Sequence, residues 1–141
     1  MMLWHIYLRG GKVFVPVVAK TDAGFFLEVD PVIVVPSSSQ NIVADAIAQV
    51  IAVGNPVIQT PSKAKLSPTV ILSYAKANTW SVFEKRATLW KILKVEEGFV
   101  LKPQQRARSG GWEDVQARIK EFPSDAREIA EYLASEISAR S

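Results

Sequence analysis

Two stretches of this chain carry apolar residues on one helical face only. Ile42, Val43, Ala46, Ile47, Val50 and Ile51 recur at helical spacing, and Ile129, Ala130, Leu133 and Ile137 do the same near the C-terminus. A helix with a single apolar stripe must lay that stripe on another element. Most of the remaining sequence is patterned for strands, so that element is a sheet. The expected class is α+β: a single domain over residues 1–141, with an antiparallel sheet built from β-hairpins. The two main helices, about 39–53 and 124–138, pack against it.

The punctuation agrees. Ser39 or Asn41 can cap the first helix, Gly54 suits its C-terminal left-handed position, and Asn55-Pro56 prevents continuation. Pro123-Ser124-Asp125 opens the second, with Ser124 as cap and with Asp125 and Glu128 in the first turn, where the helix dipole favours negative charge.

Trp4 to Val18 alternates in strand fashion. Trp4, Ile6 and Leu8 share one parity, and His5, Tyr7 and Arg9 share the other. Gly10-Gly11 is a two-residue hairpin signal, and Pro16 argues for an edge or a bulge. Asp22-Ala23-Gly24 is a second turn, and Phe25–Val35 a third strand, bent or broken at Pro31. Residues 55–69 hold Pro56, Pro61 and Pro68 with Lys63 and Lys65, and read as an exposed basic connection. Val70–Ala77 stays open between strand and helix. Trp80–Ala87 reads as one or two helical turns capped by Asn78 or Thr79. Leu89–Val95 and Phe99–Pro103 form a hairpin about Glu96-Glu97-Gly98, followed by a polar, basic loop over Gln104–Gly111. Val115–Phe122 stays open between strand and loose helix.

The absence of cysteine excludes disulfides, a thiol nucleophile and Cys-ligated zinc. His5 is the only histidine, so His-paired metal motifs are excluded and any Ser-His-Asp triad rests on one residue. Neither Gly10-Gly11 nor Gly110-Gly111 fits a phosphate-loop pattern. Glu96-Glu97 and Glu113-Asp114 are adjacent pairs whose side chains diverge on a strand. The expectation is therefore a non-enzyme with no catalytic residues, no metal and no cofactor. The N-terminus has no basic stretch ahead of a long apolar run, and Val29–Val35 and Ile42–Val53 are too short to span a bilayer. A cytoplasmic location is expected, without a membrane partner.

Net charge is +3, spread unevenly: residues 62–108 hold 10 basic and 3 acidic groups, and residues 109–141 hold 4 and 7. Lys102, Arg106 and Arg108 flank the loop that ends at Trp112, Glu113 and Asp114. Both signs of charge beside an aromatic suit a recognition centre. Arg106, Arg108, Trp112, Glu113 and Asp114 are the candidate partner-binding residues. Trp4 and Trp90 are assigned to the core; Trp80 and Trp112 could each be a half-exposed anchor, with core packing favoured for Trp80. A nucleic-acid accessory protein using segment 62–108, or a small enzyme of unrecognised type, are the alternatives. Nucleic acid is the least favoured partner, because the sequence turns acidic directly after the basic segment.

The runs W-H-I-Y-L-R-G-G-K-V-F-V-P, T-W-S-V-F-E-K-R-A-T-L-W-K-I and S-G-G-W-E, followed by F-P and a final helix, resemble small proteobacterial proteins. These are the immunity partners of polymorphic, contact-dependent growth-inhibition toxins. The resemblance implies a cytoplasmic protein whose partner is a cognate toxin's C-terminal domain, often a nuclease. It would neutralise that domain by occluding its active site or substrate groove.

Overall fold

Both glycines of the first hairpin have positive φ, 59° and 76°, the backbone that a two-residue turn between twisted strands demands. They join β1 (Met2–Arg9) to β2 (Lys12–Thr21). The computed structural model describes residues 1–62, 70–123 and 125–140. After β2 come β3 (Phe26–Pro36), α1 (Gln40–Val53) and a short β4 (Val57–Ile58). Then follow α2 (Trp80–Lys85), β5 (Thr88–Val95) and β6 (Gly98–Arg106). The chain closes with β7 (Trp112–Asp114), a 3-10 turn at Gln116–Arg118, β8 (Lys120–Phe122) and α3 (Ala126–Arg140).

The strands form one sheet in the order β3-β2-β1-β5-β6. The outer edge of β6 is shared, by β7 along Gln104–Arg106 and by β8 along Phe99–Leu101. All pairs are antiparallel except β2 with β4. The α+β class, with two main helices on an antiparallel sheet, is as the sequence predicts.

One face of the sheet carries the helices. Trp4, Ile6, Val13, Val15, Trp90, Ile92 and Leu101 meet Val43, Ile47 and Val50 of α1 and Ile129, Leu133 and Ile137 of α3. The other face is covered at one end, where Tyr7, Phe14, Val32 and Leu89 pack under Ile71 and Phe83. Strand alternation divides the two sets: Ile6 and Tyr7 are both buried, on opposite faces.

Several details differ from expectation. Pro16 lies on an interior strand; the bulge it signalled is carried by β3, where Asp30-Pro31 loops out, joined by a cis bond, between Val29 and Val32. Ser39 occupies the N-cap position of α1 but makes no capping hydrogen bond. At α3 the expected cap, Ser124, lies outside the described residues. Asp125 precedes that helix rather than sitting in its first turn, and its carboxylate accepts from the Arg127 N–H at 2.8 Å. Thr79, by contrast, caps α2 as expected, accepting from the Val82 N–H. Residues 70–76 are turns, neither strand nor helix. Gln104–Arg106 continues β6 instead of joining the loop, and residues 116–122 divide between the 3-10 turn and β8.

The expected connection after α1 departs most. Lys63, Lys65 and Pro68 fall outside the described residues, but Asn55 is half-buried and ordered by β1 and β2. The first hairpin pairs only over Tyr7–Arg9 with Lys12–Phe14. Beyond it the Asn55 amide bridges the two strands. Its oxygen accepts from the Leu3 N–H at 3.0 Å, and its nitrogen donates to the carbonyls of Leu3 and Val18, both at 2.9 Å. β4 then continues alongside β2 at Lys20 and Thr21.

Candidate interaction face

The end of the second sheet face that α2 does not cover is built by strand register. His5 lies opposite Lys91, and Lys91 opposite Lys102, on three adjacent strands. Residues so paired have Cβ atoms about 5 Å apart, and like charges there oppose folding. Acidic groups bracket the row. Glu28 bonds His5 at one end, and Asp114 lies 3.6 Å from the Lys102 ammonium at the other. Lys91, in the middle, has no ion-pair partner among the described residues. The next row, Leu3–Leu93–Val100, is apolar and half-buried. Val95 and Met1 follow on the same face, 43% and 72% exposed. Val95, Val100 and Glu121 also line a hollow of about 380 Å³ at the β6–β8 edge.

At the β3 side a hydrogen-bonded cluster closes the row. One oxygen of Glu28 accepts from the Tyr7 hydroxyl at 2.6 Å and lies 2.7 Å from His5 Nδ1. The Glu28 side chain is only 8% exposed. With Phe26, Leu27 and Trp80 these three line a pocket of about 210 Å³. Trp80 stacks on Phe83 and meets the Tyr7 ring edge-on.

Burial, reinforced by the Glu28 carboxylate, pushes the Tyr7 phenol well above its ordinary value. An unfolded tyrosine titrates near pH 10. The folded value lies higher, so the contribution of Tyr7 is complete below about pH 10 and is lost as pH rises beyond it. Tyr7→Phe should flatten the fall in melting temperature between about pH 9 and 11. Parallel alkaline slopes for the two proteins would show that Tyr7 is not the group responsible.

The five sequence-predicted residues surround the β6–β7 hairpin but do not converge. Arg106 faces Trp112 in register, its guanidinium 5.5 Å from the indole centroid and 3.2 Å from Glu84 of α2. Trp112 is half-buried against the second core, and its indole N–H has no partner among the described residues. Asp114 accepts from the Gln104 amide at 2.6 Å. Arg106, Trp112 and Asp114 therefore share the face that holds Lys102. Glu113 points to the opposite face with Gln105, which donates to it at 3.0 Å. Arg108 is exposed in the turn. Glu28 and Lys91 were not singled out from sequence. Parity put His5 beside Tyr7, but which carboxylate meets them depends on the β3 bulge.

No described helix is long and apolar enough to cross a membrane. No family model matches the chain, and no curated protein matches it. Among solved structures, a Neisseria meningitidis protein of unknown function, NMB0488, has a similar fold, with a TM-score of 0.69 at 8% identity. The similarity covers 99% of this chain and 94% of that one. At that identity the likeness is one of fold alone.

Proposed function

We propose that this protein binds the C-terminal domain of a cognate toxin in the cytoplasm and neutralises it by occlusion, using the open sheet face. The observation that carries this reading is the Lys91–Lys102 pair beside Leu3, Leu93 and Val100. Like charges opposed on neighbouring strands disfavour the fold, so their placement next to half-buried apolar surface is better explained by a partner. That partner presents carboxylates to Lys91 and Lys102 and an apolar patch to the row beneath. Arg106, Trp112 and Asp114 extend the contact along the same face, Arg108 sits in the exposed turn at its rim, and Glu113 points away from it.

Single-stranded nucleic acid suits this face less well. Stacking platforms need open aromatic faces. Trp112 lies between Arg106 and the second core. Steeply salt-dependent binding to generic RNA would reverse that preference.

Co-expression with a cognate toxin's C-terminal domain, sought among the neighbouring genes, gives the test. Cells carrying the wild-type protein are expected to survive. Wild-type protein that confers no protection against that domain would refute the toxin reading.

A further inference from the structure

We propose that the pocket between His5, Phe26, Glu28 and Trp80 receives a basic side chain of the protein partner, arginine by preference. That the cation comes from a protein rests on the occlusion reading; the pocket's preference for a cation does not.

Glu28 supplies the charge. Its Oε2 is engaged by Tyr7 and His5, at 2.6 and 2.7 Å. No described group donates to its other oxygen, and Glu28 is among the residues that line the pocket. Tyr7 is held in its protonated form and acts as a donor. A carboxylate with one oxygen unfilled is a ready acceptor for a charge-assisted hydrogen bond. Burial strengthens such a contact, because little water competes there.

The walls supply the second element. Trp80, Phe26, Tyr7 and His5 are four rings around one small space. Aromatic faces attract cations, and the planar guanidinium stacks on them better than an ammonium does. Phe26 already draws Lys20, whose ammonium lies 5.9 Å from the ring centroid. Among the described residues Lys20 makes no ion pair with Glu28. At about 210 Å³ the pocket is below the range of small-molecule sites, about 300–1,000 Å³, and fits the end of one side chain. Because it adjoins the Lys91–Lys102 row, the face offers an acceptor for a cation beside donors for carboxylates. Such alternation rejects partners of the wrong register.

The lone histidine makes the test clean, since every imidazole signal in an NMR spectrum belongs to His5. The probe is N-acetyl-arginine amide, with the citrulline analogue as its uncharged counterpart and methylguanidinium as the free cation. Arginine should produce saturable shifts at the His5 ring and Trp80 indole. Citrulline should produce none, and methylguanidinium should bind more weakly than arginine. Glu28→Gln keeps the side-chain shape and should abolish the arginine shifts. Its melting curve reports whether the fold is intact, and Trp80→Leu offers a second route to the same loss. In complex with the toxin domain, Glu28→Gln should weaken binding by about thirty-fold. Equal shifts from citrulline, arginine shifts that survive Glu28→Gln in a folded protein, or tighter binding of methylguanidinium would overturn the assignment. Those outcomes leave the protection test untouched. Failure of protection with intact arginine binding would instead remove the toxin reading and keep the pocket.

Discussion

Gly98→Ala is expected to lower the melting temperature by about 10 °C, a loss near 3 kcal/mol for a chain of this size. Gly98 ends the β5–β6 turn at φ 140°, a backbone that side chains rarely adopt. A Cβ there would lie 2.3 Å from the Phe122 carbonyl oxygen and 2.7 Å from that of Pro123. Both neighbours are backbone, so neither can rotate away. The chain leaving β8 would have to move, and with it the start of α3. Gly10→Ala is the control. It also has positive φ, 59°, but nothing lies within 4 Å of its Cβ position. It should cost about 1 kcal/mol, the left-handed penalty alone. Similar melting temperatures for the two variants would show that the contact with Phe122 and Pro123 is unimportant.

Asn55→Ala is expected to cost about 3 kcal/mol, since it strands the Leu3 N–H and the carbonyls of Leu3 and Val18 at roughly 1 kcal/mol each. The chemistry of the bridge makes a sharper comparison possible. Asn55→Asp keeps the shape and can still accept from Leu3. It turns a carboxylate oxygen toward two carbonyls that need a donor. Aspartate should therefore be no better than alanine, whatever its size. Chemical denaturation of both variants, followed by tryptophan fluorescence, gives the free energies. An aspartate variant as stable as wild type would mean that the amide nitrogen is not holding β1 to β2.

Those two residues mark where sequence reasoning stops. Gly98 and Asn55 were both legible as punctuation, one a turn and the other a helix stop. Their larger role comes from segments distant in sequence, Phe122-Pro123 for one and Leu3 and Val18 for the other. No local pattern encodes such a meeting. The helices were legible because their stripes are periodic: Ile47, Val50, Leu133 and Ile137 are all at most 1% exposed. Trp4 and Trp90 were legible for the same reason, as members of alternating strands. β7 and β8 were not, because three residues are too few to show a period. At the candidate face, alternation separated Glu113 from Asp114 and joined His5 to Tyr7. It could not bring Lys91 opposite both His5 and Lys102, which requires the strand order β1-β5-β6.

On the proposed function, the open sheet face binds the toxin domain. Its most direct test is the dissociation constant of the purified pair, measured by calorimetry for wild type and for Lys91→Glu/Lys102→Glu. The double reversal puts like charge against the partner's carboxylates, and affinity should fall by at least about a hundred-fold. A matched reversal on the helix layer, Asp45→Lys/Glu128→Lys, should leave affinity within about three-fold of wild type. A folded Lys91→Glu/Lys102→Glu variant that binds as tightly as wild type, with the helix-layer variant weakened instead, would contradict this account and place the interface on α1 and α3.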